Sequence, residues 1–183
     1  EGEAPSGFAG GGGDASPFRI DMKRIAIIDG VRTPIGNFGG ALRDITAHKL
    51  GEIVVRGLIK RSGIDLEVIE EVIFGSVGQY GDAANVARVI SLMAGLSHRI
   101  PAYTVQRNCS SGMQAIASAC QNIIAGDADL QVVGGTESMS QAPYISRDMR
   151  WGRRLRHTQM IDSIWEALTD AFCGQVMGYT AEN

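Results

Sequence analysis

Residues 101–135 read PAYTVQRNCSSGMQAIASACQNIIAGDADLQVVGG. The opening PAYTVQ (101–106) is a short strand-forming run, and DLQVVGG (129–135) is a second. Between them, residues 110–125 place Met113, Ile116, Ala117, Cys120, Ile123 and Ile124 on one side of a helix. Strand, helix and strand in this order make a βαβ unit, which joins parallel strands and lays the helix on their sheet. Gly112, Ala115, Ala117, Ser118 and Ala119 make that helix small-sided nearly all round, which predicts burial on several sides.

The same alternation extends upstream. KRIAIID (23–29) reads as a buried strand, and VRTPIGNFGG (31–40) as a Gly- and Pro-rich loop. Residues 46–61 put Leu50, Ile53, Val54 and Leu58 on one helical face, with Thr46 as N-cap. EEVIFGSV (70–77) is a further strand, and Asn85 caps a helix whose face is Val86, Val89, Ile90 and Met93. Together these elements predict an α/β fold with a largely parallel sheet and helices on its faces. Residues 1–22 are Gly-rich, with too few large apolar side chains to offset their ordering entropy, and read as a disordered tail. The pattern changes again near 141–145, which separates an α/β domain over 23–142 from a different segment over 143–183.

Composition narrows the functional classes. The 183 residues are 44% hydrophobic, enough for one cored domain and the start of a second. A net charge of −3 provides no basic field for nucleic acid. No apolar run approaches the ~18–20 residues of a membrane span, so the chain reads as soluble. Three cysteines do not make a disulfide scaffold and fit a reducing compartment, the cytoplasm being favoured. Cys109, Cys120 and Cys173 lack the paired spacing of a zinc site. If Cys109 and Cys120 share one helix they lie ~16 Å apart, beyond the ~7 Å reach of a disulfide.

Chemistry concentrates in TVQRNCSSG (104–112), which sets Cys109 at a strand-to-helix junction. The unpaired N–H groups and positive dipole end of a helix N-terminus favour thiolate over thiol. The same N–H groups suit an oxyanion formed when the thiolate attacks a thioester or ketone carbonyl. Free cysteine is also among the most buried residue types, so on position alone simple packing stays open for Cys109 and is the better reading of Cys120 and Cys173. No spacing selects His48, His98 or His157 as a partner base. Gly75, Gly78 and Gly81 lack the dinucleotide-binding spacing and read as turn glycines near a site wall. RDMRWGRRLR (147–156) carries five Arg and one Asp, suited either to an anionic partner or to a solvated loop.

Several stretches, in order, resemble the N-terminal half of a thiolase. They are RTPIGNFGG (32–40), VQRNCSSGMQA (105–115), GGTESMSQAPY (134–144), LTDAF (168–172) and MGYTAEN (177–183). The resemblance implies a layered α/β sandwich, with residues 23–142 most of its first half and 143–183 the start of an inserted loop domain. It implies that Cys109 is the nucleophile, passing an acyl group between acyl-CoA and either CoA or acetyl-CoA through an acyl-cysteine intermediate. Its own backbone N–H would be one oxyanion donor. CoA thioesters enter as substrates, and no resident cofactor or metal is implied. Leu168 and Met177 match substrate-facing positions of the family.

The family's Gly-His-Pro, Cys-x-Gly and Asn-Glu-Ala-Phe motifs, which complete its active site, do not occur in this sequence. The resemblance therefore implies half a site, inactive alone, completed by a C-terminal thiolase half or partner subunit in a homo- or hetero-oligomer. Val176, preceded by Gln175, stands where many short-chain members have His, which argues against assuming acetoacetyl specificity. The Arg-rich segment falls where relatives carry a cationic assembly loop. Two alternatives share the fold: a β-ketoacyl synthase relative, and a non-catalytic assembly subunit.

Overall fold

The computed structural model describes residues 24–182. The tail assigned to 1–22 lies outside the described residues, as does Lys23. Three strands, β1 (Glu71–Gly75), β2 (Ala102–Val105) and β3 (Gln131–Gly135), form a wholly parallel sheet in the order β2-β1-β3. The α/β fold with a parallel sheet is thus the one the alternation predicted.

Side chains of successive residues in β1 point to opposite faces, and this divides the core. Val72 and Phe74 face one layer, made by α1 (Ala47–Ser62) and α2 (Val86–Ala94), where Val55, Val86, Ala87 and Ile90 are buried with them. Ile73 faces the other way, onto Ala115 and Ala119 of α3 (Ser111–Ala125). The helix starts follow from their caps. Thr46 Oγ1 accepts from Lys49 N at 3.4 Å and Asn85 Oδ1 from Arg88 N at 3.1 Å. Gly63, Gly95 and Gly126 close the three helices in the left-handed conformation glycine adopts freely.

Three expectations are corrected. Residues 24–29 form no strand, and Ile27 and Ile28 are 84% and 66% exposed. A strand exists through a hydrogen-bonded neighbour. Here a cavity of about 370 Å³ lies between this segment and the outer edge of β3, walled by Leu58 and Ile59 of α1 and by Ile116 and Ala119 of α3. The buried face of α1 is also rotated from the one expected. Gly51, Glu52 and Val55 are buried while Ile53 is 47% exposed. Gly51 sets that rotation, because a Cβ there would stand 2.2 Å from Ile90 Cδ1, so α2 packs directly on the α1 backbone. Glu52 accompanies it inward, ion-paired to Lys49 and Arg56, and both partners hold its carboxyl below the usual range, Lys49 foremost. Third, α3 buries only the face of Ser111, Ala115 and Ala119, and Met113 is exposed. One sheet covers one helix face, and among the described residues no second layer lies over the other.

Beyond residue 141 the chain is built of short pieces: β4 (Tyr144–Ile145) antiparallel to β5 (Ile161–Asp162), then α4 (Ser163–Ala167) and α5 (Met177–Ala181). Two of the arginines there are paired with acids, Arg147 bidentate on Glu166 at 2.6 and 2.9 Å and Arg153 on Asp148 at 2.9 Å. No helix among the described residues is long and apolar enough to cross a membrane.

Candidate active site

In a parallel sheet the carboxyl ends of all strands lie at one edge, and the loops leaving them gather there. β1 ends at Gly75, β2 at Val105 and β3 at Gly135, and the three ends are tied together. Ser76 N donates to Val105 O at 3.2 Å, and Thr136 N donates to Gly75 O at 3.0 Å. Cys109 sits on the loop from β2 into α3 and is exposed.

That loop is tightly specified. Ser110 N donates to Arg107 O and Ser111 N to Asn108 O, each at 3.1 Å. The buried Ser111 hydroxyl donates to Asn108 O at 2.6 Å and accepts from Arg107 N at 2.8 Å. Asn108 is held at φ +48°, in the left-handed region that costs most residues free energy. Arg107 reaches Gln114 Oε1 at 2.6 Å, and Gln114 Nε2 reaches Ser118 Oγ at 3.1 Å, bracing the loop along α3.

The N-terminus of α3 is left open. The caps of α1, α2 and α4 accept from their first turns, whereas Ser110 makes no side-chain cap bond. No described residue accepts a hydrogen bond from the N–H of Cys109, Gly112 or Met113. Three glycines bring this helix end onto the sheet. A Cβ at Gly75 would stand 2.2 Å from Ser111 C, and one at Gly135 would stand 3.1 Å from Gly112 Cα. Gly75, which the sequence places both in the strand run 70–77 and among the turn glycines, is the last residue of the central strand and the seat of α3.

The segment TESMSQ (136–141) beside this site works by alternation. Thr136 Oγ1 donates to Ala47 O at 2.6 Å and Ser138 Oγ to Ile45 O at 2.7 Å, while Ser140 Oγ accepts from Gly39 N at 2.9 Å. Gln141 Nε2 completes the seam by donating to Arg43 O. Glu137 points the other way and accepts from Val77 N at 2.7 Å and Gly78 N at 3.2 Å. An extended run over 136–138 and the 3-10 turn over Met139–Gln141 that follows it thus fix the 39–47 segment on one side and the 76–78 loop on the other. Sequence reasoning missed these roles, as it missed Ser111. The available signal was the run of alternating hydroxyls, which is the period of an extended chain.

Leu168 and Met177 are brought together, since Met177 N donates to Leu168 O at 2.8 Å. No hydrogen bond or ion pair among the described residues joins either of them to 104–112. Cys173 is exposed on the same loop, where its N–H and that of Phe172 bind Asp170 Oδ1 at 2.9 and 2.8 Å. Those two N–H groups, that of Cys173 foremost, hold the Asp170 carboxyl below its usual range. His48 is engaged elsewhere, with Nε2 3.0 Å from Thr46 Oγ1 and Nδ1 3.7 Å from Asp82. No histidine among the described residues is hydrogen-bonded to the Cys109 loop. The described side chains therefore supply a candidate nucleophile, free N–H donors and a rigid mount, and no base beside the sulfur.

Residues 25–183 match the family model for the thiolase N-terminal domain. An acetyl-CoA acetyltransferase of Syntrophomonas wolfei is 45% identical over 164 residues, 88% of this chain and 41% of the relative. A probable acetyl-CoA acyltransferase of Staphylococcus aureus is 41% identical over 163 residues, again 88% of this chain and 42% of the relative. Among solved structures, the Bacillus anthracis acetyl-CoA acetyltransferase superposes with a TM-score of 0.82 at 45% identity, over 86% of this chain and 40% of that one. The human mitochondrial 3-ketoacyl-CoA thiolase superposes at 0.80 with 39% identity, over 85% and 40%. The chain thus spans about two-fifths of the length of these relatives.

Proposed function

This chain belongs to the thiolase family, whose N-terminal domain it carries over residues 25–183, and we propose that it supplies the acyl-accepting half of a thiolase active site. The carrying observation is Cys109, exposed at the end of an α-helix where its own N–H and those of Gly112 and Met113 have no acceptor among the described residues. The reaction proposed for it is acyl transfer. The Cys109 thiolate attacks the carbonyl carbon of an acyl-CoA, and the carbonyl electron pair moves onto oxygen, where the Cys109 N–H donates to it. Collapse of the tetrahedral adduct re-forms the carbonyl and leaves an acyl-cysteine: at the thioester carbonyl of an acyl-CoA, in synthesis, it expels the CoA thiolate, and at the 3-keto carbonyl of a 3-ketoacyl-CoA, in thiolysis, it breaks the C2–C3 bond and expels the acetyl-CoA carbanion. The carbanion of acetyl-CoA in synthesis, or CoA in thiolysis, then takes the acyl group and releases the Cys109 thiolate.

Proton handling needs groups this chain does not place at the sulfur. The sequence lacks the Gly-His-Pro and Cys-x-Gly motifs of the family. We assign those roles to a C-terminal thiolase half or partner subunit, in a homo- or hetero-oligomer, with CoA and its thioesters as the substrates. Leu168 and Met177 are assigned to the acyl-binding wall, and the apolar Val176 beside Met177 fits an acyl group larger than acetyl. The domain division at 142/143 belongs to this reading, the short-element segment being the start of the loop domain.

The test is reconstitution. The purified chain alone gives no thiolysis of 3-ketoacyl-CoA. Mixed with a C-terminal thiolase half it turns over, and mass spectrometry of the quenched mixture finds an acyl adduct on Cys109 that is absent in Cys109→Ala. Turnover by the lone chain overturns the half-site reading, and an active mixture whose acyl adduct lies elsewhere overturns the nucleophile.

A further inference from the structure

We propose that Ser111 is the positioning residue for Cys109: its hydroxyl clamps the loop so that the sulfur stays at the open end of α3. The proposal rests on the nucleophile reading above and adds the device that holds that nucleophile in place. Ser111 is 4% exposed, and its hydroxyl uses both of its hydrogen-bonding modes on backbone upstream of the cysteine. It accepts from Arg107 N at 2.8 Å and donates to Asn108 O at 2.6 Å, so one oxygen fixes the Gln106–Arg107 peptide and the Asn108–Cys109 peptide, on either side of the pair that precedes Cys109.

The clamp acts on a conformation the chain would otherwise leave. Asn108 is one of only two non-glycine residues with positive φ among those described, and it immediately precedes Cys109. A left-handed residue persists only where its surroundings over-determine it. The side chain of Asn108 has no hydrogen bond of its own among the described residues, so the holding force comes from Ser111, from the turn bonds around it and from Gln106 Oε1, which accepts from Asn108 N at 3.2 Å. Ser111 is itself immobile, because its carbonyl carbon lies against Gly75 in the central strand. Rigidity therefore passes from β1 through the Ser111 backbone and hydroxyl to the peptide carrying Cys109. Alanine at 111 keeps the helix and removes the clamp. Arg107 N–H, on an exposed residue, then turns to water, Asn108 O is left with the backbone N–H of residue 111 alone, Asn108 relaxes, and the sulfur leaves the end of α3.

The experiment labels the 183-residue chain with iodoacetamide and follows each cysteine separately by peptide mass spectrometry. Cys120, half-buried on α3, reports whether the fold is intact, and the exposed Cys173, whose side chain bonds Asp170, gives the rate of a thiol outside the site. Ser111→Ala slows Cys109 labelling by about tenfold, leaves Cys120 unchanged, and Ser111→Thr, which keeps the hydroxyl, restores the Cys109 rate to within about twofold. Cys109 labelling in Ser111→Ala at the wild-type rate overturns the proposal. So does slowing that Thr does not restore, or slowing accompanied by faster Cys120 labelling, since either marks a general loss of structure. Wild-type Cys109 that labels no faster than Cys173 even in the mixture with a C-terminal thiolase half sinks the nucleophile reading itself, whatever Ser111 does.

Discussion

Gly75→Ala tests the mount of the site, and its cost follows from distances. The added methyl carbon falls 2.2 Å from Ser111 C, 2.3 Å from Ser111 O and 2.5 Å from Gly112 N. All three are backbone atoms, so no side chain can swing aside. Ordinary contact begins near 3.4 Å, and α3 must retreat by about 1 Å at its first turn, as overpacked cores do at ~1–3 kcal/mol. Retreat also lifts Ala115 and Ala119 from Ile73, which they cover. We therefore expect the upper end, about 3 kcal/mol, read as a lower urea midpoint at unchanged slope. A displacement of this size at a nucleophile costs on the order of 10²-fold in rate, measured as turnover of the reconstituted complex. Gly57→Ala is the matched control. Gly57 lies inside α1 with no atom within 4 Å of its would-be Cβ, so the same substitution stabilises by ~0.5–1 kcal/mol. A Gly75→Ala chain with the wild-type urea midpoint would refute the close-packing argument, as would equal shifts in both variants.

Three further expectations follow from single residues. Ser91 is fully buried in α2 with a hydroxyl that has no partner among the described residues, so Ser91→Ala holds or raises stability by up to ~1 kcal/mol, read as the urea midpoint, and a loss beyond that contradicts the orphan. Asn85 caps α2, donates to Ala102 O at 3.0 Å and accepts from Thr104 Oγ1 at 3.0 Å, so Asn85→Ala costs about 2 kcal/mol by thermal melting while Asn85→Asp, which keeps the cap, costs less. The N–H groups of Asp129 and Leu130, in that order, hold the Glu70 carboxyl below its usual range. A depressed carboxylate pKa lends stability that is fully present above the unfolded value, about pH 4.3, and is lost as pH falls through the folded one. Glu70→Gln should accordingly flatten the fall in stability on acidification, and an unchanged acid limb would remove Glu70 from the account.

What the sequence discloses here depends on how local the cause is. The caps at Thr46 and Asn85 were legible because a cap closes within three residues. The strands over 71–75, 102–105 and 131–135 were legible because each has its apolar run and its sheet neighbours within the described chain. KRIAIID has the same composition and fails as a strand over its described part, since composition does not reveal whether a ladder partner stands alongside. The α1 face was misjudged because the deciding contact, Gly51 against Ile90, joins two helices, and because hydropathy sends Glu52 outward when two cations carry it in. At the site, Cys109 could be singled out from its place between strand and helix. Ser111, Gly75 and Glu137 could not, because their work is done on backbone atoms, in the case of Glu137 some sixty residues away.

The open edge of β3 has a practical consequence. Its outer backbone groups make no ladder bond among the described residues, and Ile27, Ile28, Ile35 and Phe38 stand exposed in the segment that follows Lys23. Such a border is a template for any extended peptide, including another copy of itself. Purified alone at high concentration, the chain should grow oligomers from this margin, so the yield of well-behaved material will be set at the bench by dilution and by what is co-expressed, more than by the depth of its core.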